Sequence, residues 1–136
     1  MYRERTARGE QVWCYTSLAS FVFDYPNLFI DARAQSQRVI PWLAFRYGIT
    51  GLLYWQTVFA YRQEGDPWSK PRLMMTNGNG MEDYEYLALL DRRGDGKLAA
   101  RLARVVASGS LQWSHDVSVL ARTRETAAER LAAAGD

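Results

Sequence analysis

The sequence holds one cysteine, Cys14, and one histidine, His115. A lone thiol excludes an intramolecular disulfide, and without a second histidine or cysteine there is no Cys-rich zinc site and no two-histidine metal motif. No cofactor or metal is expected. Long apolar runs are missing too: no stretch reaches the ~20 residues needed to cross a bilayer. The N-terminal Met1-Tyr2-Arg3-Glu4-Arg5 is charged where a secretory signal would be apolar, which leaves the compartment open. Neither sign of charge dominates. With 17 basic against 15 acidic residues and a net charge of +2, the chain carries too weak a field to recruit nucleic acid or anionic lipid.

What is present points to a folded, soluble protein. Of the 136 residues, 48% are apolar and 24% charged, a balance that suits one globular domain and excludes a disordered chain. The unusual feature is aromatic: five Trp and eight Tyr. Such rings stack on the C–H faces of sugars while their N–H and O–H groups bind hydroxyls, although most rings in any protein are core.

Hydrophobic patterning sets the organisation. Residues 11–16 (Gln-Val-Trp-Cys-Tyr-Thr) read as a short buried strand, and the stretch around Asp24-Tyr25-Pro26-Asn27 reads as a loop. From Asp31, a plausible N-cap, apolar residues recur at helical spacing until Gly48, with Pro41 expected to kink or restart the helix. Gly51-Leu52-Leu53-Tyr54-Trp55 reads as a parallel strand buried on both faces. Strand, helix, strand is a right-handed βαβ unit that presents the ends of its strands to a site. Turn signals fill residues 57–80, among them Gly65-Asp66-Pro67-Trp68 and Asn77-Gly78-Asn79-Gly80. Helices are then expected at 81–92, 97–107 and 116–134, broken by Gly94-Asp95-Gly96 and with Ser114 or Asp116 capping the last.

Several strings in this order resemble the catalytic region of glycoside hydrolase family 123, also called domain of unknown function 4091. They are Trp13-x-Tyr15, Arg38-x-x-x-Trp42, Tyr47-Gly48-x-x-Gly51-x-Leu53-Tyr54-Trp55, Asp66-Pro67-Trp68, Asn77-Gly78, Glu82-Asp83-Tyr84-Glu85-Tyr86-Leu87-x-Leu89-Leu90 and Trp113-x-x-Asp116. The last leads into an Arg-containing helix, and the resemblance covers nearly the whole chain from Glu10 to Leu131. The resemblance implies an α/β fold, the last part of a (β/α)8 TIM barrel with about two parallel strands and a helical C-terminus. Residues 10–80 would supply strand, helix, strand and long loop, and residues 81–135 the helices.

The implied activity is hydrolysis of terminal β-linked N-acetylgalactosamine, with the substrate's acetamido oxygen as nucleophile and two carboxyls assisting. The family carries those carboxyls as an adjacent Asp-Glu, and no Asp-Glu dipeptide occurs here. A further strand and Arg-bearing helix usually separate the Asn-Gly turn from the Glu-Asp-Tyr-Glu-Tyr helix; here Asn79-Gly80-Met81-Glu82 follows directly, as though by internal deletion. The chain is therefore expected to lack activity on its own. A carbohydrate partner containing N-acetylgalactosamine is implied, and unpaired strand edges call for the missing barrel half or a second copy to cover them.

The expected substrate-binding residues are Trp13, Tyr15, Trp55, Asp66 and Trp68. Trp55 and Tyr15 sit at expected strand ends, where barrel enzymes keep ligand contacts. Trp13 shares a face with Tyr15 and suits core at least as well. Asp66 beside Trp68 offers a carboxylate next to a stacking plane, or else an Asp-Pro turn tucked down by an indole. Glu82, Asp83 and Glu85 read as helix-dipole acids, and Arg38 with Trp42 reads as a stack on one helix face. Cys14 reads as an inert buried thiol and His115 as a surface or capping residue. No catalytic residue is assigned. The rival to a sugar-processing role is a non-catalytic module that binds a glycan or a protein through its aromatic loop face.

Overall fold

The structure is a computed structural model that describes residues 2–17, 25–28, 33–55 and 78–133. It is a mixed α/β arrangement, mostly helical. Helix α1 (Tyr2–Ala7) leads into strand β1 (Trp13–Ser17), helix α2 (Ala34–Tyr47) and strand β2 (Gly51–Trp55). Helix α3 (Gly78–Leu90) continues through a π-type turn, Asp91–Asp95, into α4 (Gly96–Val106). A short antiparallel pair, β3 (Ala107–Gly109) and β4 (Gln112–Trp113), precedes α5 (Val117–Ala133).

β1 and β2 pair in parallel across α2, from Trp13 opposite Gly51 to Ser17 opposite Trp55. The expected strand-helix-strand unit therefore forms, with β2 at its expected bounds and β1 shifted toward Ser17. Neither strand is buried as expected. Trp13, Tyr15 and Leu53 are exposed on the outer face, which no second layer among the described residues covers, and Leu52 is exposed in part on the other. On the other face, Cys14, Thr16 and Leu52 look across a cavity of about 180 Å3 toward Leu43, Ala44 and Tyr47 of α2.

The hydrophobic core lies among the helices instead. It is built from Val39, Trp42 and Phe45 of α2, Leu87 and Leu90 of α3, Ala99, Leu102, Ala103 and Val106 of α4, Ala107 and Trp113 of the hairpin, and Leu120 and Ala127 of α5. The α4 members recur at i, i+3, i+4 and i+7, one stripe of a 3.6-residue period. None of the described side chains of β1 or β2 belongs to this core.

Local chemistry explains where α2 ends; at its start Arg33, with no side-chain bond, takes the cap position, and the expected cap Asp31 lies outside the described residues. Gly48 takes φ +68°, the left-handed conformation that glycine adopts without steric cost. Its N–H donates to the Phe45 carbonyl and that of Ile49 to the Ala44 carbonyl, closing the helix in a Schellman motif. The guanidinium of Arg3 in α1 donates to the Phe45 and Arg46 carbonyls, each at 2.7 Å, so the short N-terminal helix caps the C-terminus of α2. Pro41 neither ends nor restarts α2, which runs through it; its ring is buried against Gly80 of α3.

That contact also accounts for a departure in α3. Gly78-Asn79-Gly80 forms the first turn of α3 rather than a loop, since a residue without a side chain lets the two helices approach closely. Asp116 caps α5 as expected, accepting the Ser118 N–H at 2.8 Å. No helix among the described residues is long and apolar enough to cross a membrane.

Candidate functional site

Alternation along β1 and β2 fixes two faces. Trp13, Tyr15 and Ser17 share one face with Gly51, Leu53 and Trp55, their register partners. Trp13 and Tyr15 are each 60% exposed and Leu53 54%. Burial of Trp13 in the core, the reading its composition and pattern favoured, does not occur. Its indole crosses Gly51, and its Nε1–H donates to the Gln11 carboxamide at 3.3 Å. With Tyr2, Val12, Cys14 and Ile49, the two rings border a hollow of about 310 Å3 at the start of β1.

Trp13 opens β1 whereas Trp55 closes β2. Four residue steps of roughly 3.3 Å separate those levels by about 13 Å. The structure thus brings Trp13 and Tyr15 together and sets the Trp55 backbone at the far end of the same face. The indole of Trp55, and the whole of Asp66 and Trp68, lie outside the described residues.

A second polar centre is one the sequence reading missed. Asp83 is fully buried. The Arg38 guanidinium donates to it at 2.9 Å and the Trp42 indole N–H at 3.1 Å, while Arg124 of α5 stands 3.4 Å away. Arg124 also pairs with Glu82 at 2.5 Å and lies over the Tyr86 ring. Arg38 and Trp42 do share a face, as their spacing required, but they converge on a carboxylate instead of stacking on each other.

Burial raises the Asp83 carboxyl above its usual range, and the bonds from Arg38 and Trp42 and the charge of Arg124 only partly offset this. A glycosidase acid must reach the leaving oxygen, and a carboxyl sealed beneath two arginines does not. Asp83 ties α2, α3 and α5 together. The residue pattern held one clue to it: an Arg-x-x-x-Trp face presents two donors that need an acceptor when buried.

Cys14 is half-buried, and desolvation raises its thiol above the ordinary value, which keeps it protonated and unreactive. His115 is exposed and lies 4.1 Å, centroid to centroid, from the Trp113 ring. Among the described residues, no group of three or more His, Cys, Asp or Glu side chains is placed to hold a metal ion.

Residues 1–88 match the family model described as the glycoside hydrolase 123 catalytic domain. The chain belongs to this family. The glycoside hydrolase 123 match takes in the aromatic face, both parallel strands and all of α3 as far as Ala88. It stops short of Trp113-x-x-Asp116, so the likeness is narrower than the Glu10–Leu131 span the sequence strings suggested. Among curated proteins, none matches this glycoside hydrolase 123 chain.

Proposed function

We propose that this chain is a carbohydrate-active segment of a β-N-acetylgalactosaminidase-like glycoside hydrolase, binding a glycan that contains N-acetylgalactosamine on its open aromatic face. In this reading, β1, α2 and β2 are one strand-helix-strand unit of a (β/α)8 barrel. The observation that carries it is the pairing of Trp13 and Tyr15, more than half exposed, on one sheet face of a glycoside hydrolase 123 domain. Trp55, Asp66 and Trp68 extend the proposed subsite from sequence position alone.

The proposed role is binding without cleavage by this chain. Trp13, Tyr15, Ser17, Gly51, Leu53 and Trp55 include no carboxyl on that face. The Asp-Glu pair of substrate-assisted hydrolysis has no counterpart in the sequence, and the buried Asp83 does not replace it. Remaining barrel strands from another polypeptide would supply the carboxyls, and either these strands or a second copy would cover the two strand edges.

Titration calorimetry with N-acetylgalactosamine tests the binding. A measurable affinity is expected, reduced at least tenfold, or about 1.4 kcal/mol, by Trp13→Ala. A wild-type chain that gives no heat with this sugar or its β-methyl glycoside sinks the reading. An aryl N-acetyl-β-galactosaminide should release no chromophore, and robust turnover would show that catalytic carboxyls reside elsewhere in the chain.

Leu53, exposed opposite Tyr15, favours a second reading in which the same face binds a protein. Leu53→Asp separates the two, since it should abolish a protein contact while leaving a stacked sugar largely in place.

A further inference from the structure

Trp13 and Gly51 are direct partners across the parallel ladder, at a position where strands ordinarily favour a β-branched or aromatic residue. A β-carbon at position 51 would lie 2.5 Å from Cδ2, 2.6 Å from Cε2 and 2.9 Å from Cγ of Trp13. Those atoms belong to the same five-membered ring. Three ring atoms at nearly equal range mean that the indole meets Gly51 broadside, with its face and not its edge against the backbone. The bond from Nε1 to Gln11 sets its rotation within that plane. Trp13 nevertheless remains 60% exposed, so one face is seated and the other is open.

We infer that Gly51 is a positioning residue: lacking a side chain, it lets the Trp13 indole lie flat on the sheet and turn its outer face to solvent as a stacking plane for the C–H face of a pyranose. The inference rests on the glycan reading of this face. Any side chain at position 51 would lift the ring and tilt that plane. A ring that merely shields a strand glycine uses its inner face alone, and the two roles part company in solution.

The test uses the full chain labelled with 5-fluorotryptophan and titrated with methyl N-acetyl-β-galactosaminide. Gly51→Ala should displace the Trp13 fluorine resonance and weaken binding by about tenfold or more. In a Trp13→Ala background the same substitution should change affinity by less than about twofold, the non-additivity expected of coupled neighbours. A displaced resonance with unchanged affinity overturns the proposal in favour of shielding.

The wild-type Gly51 Hα provides a second readout, because a ring lying broadside shifts it upfield and Trp13→Leu should remove the shift. Absence of that shift overturns the seat itself. Its presence without any sugar binding overturns the glycan reading and, with it, the positioning role. Should Gly51→Ala fail to fold, the unsubstituted protein decides: the sugar must move the Trp13 fluorine resonance and leave the Gly51 Hα shift in place. A sugar that moves neither signal, or both, overturns the inference.

Discussion

At the scale of single residues, Asp83 carries the sharpest consequences. Its carboxyl is harder to ionise in the folded chain than in the unfolded one because burial outweighs its donors. Between the ordinary value of 3.8 and its own raised pKa, the folded state therefore binds more protons, and stability falls as pH rises through that window. Asp116 behaves oppositely. The Ser118 side-chain and backbone donors lower its pKa, so its contribution is present above 3.8 and lost as pH falls through the lowered value. Carboxyl 13C titration should place Asp83 above 3.8 and Asp116 below it; an Asp83 midpoint below 3.8 would mean the arginines outweigh burial. Asp83→Ala strands the Trp42 N–H and the Arg38 guanidinium and leaves Arg124 only Glu82, and should cost about 3 kcal/mol in urea unfolding, the low end for a broken buried pair because both arginines keep some solvent. Beyond the paired donors of Arg38 and Trp42, none of this was legible locally. With α3 expected to start at Met81, Asp83 fell in the first turn, where acids suit the dipole; the true start at Gly78 puts it in the second turn, packed against α2 and α5. Its partners come from α2 and α5, and no sequence window spans them.

At the scale of elements, helix ends proved readable where a single residue type enforces them. Gly48 closes α2 and Asp116 opens α5, each through backbone chemistry that needs no distant partner. Gly48→Ala would impose a left-handed alanine and bring its β-carbon to 2.9 Å from Cγ and 3.2 Å from Cα of Arg3. A loss of about 1–2 kcal/mol is expected, measured as a lower urea midpoint together with faster amide exchange in α1. Unchanged exchange there would show that the Arg3 cap does not depend on this turn. Pro41 misled for a tertiary reason, because α2 forgoes one backbone bond and gains a close α2–α3 contact at Gly80. Helix α1 and the β3–β4 hairpin escaped notice because six, three and two residues are too few for a periodicity to register.

At the scale of the whole molecule, the strand-helix-strand unit was visible in the apolar runs, while the location of the core was not. An apolar run reports that a strand wants cover, not that cover exists, and here, among the described residues, the helices supply the interior while the sheet face stays open. Stability should follow that division. Leu120→Ala, at a fully buried site, should cost about 3 kcal/mol, whereas Leu53→Ala on the open face should stay within about 0.5 kcal/mol. Comparable losses from the two in denaturant titration would mean that the sheet face is covered in solution.

The limit of detectable kinship falls inside α3, at Ala88. Beyond it stand α4, the hairpin and α5, which return Arg124 to Asp83 and supply most of the interior that holds Leu87. Recombination, or an engineer's scissors, applied at that limit would sever a guanidinium from its counter-ion and leave an oily helix stub in water. The heritable unit of this protein is thus longer than its recognisable ancestry, and any transplant must carry both sides of the seam.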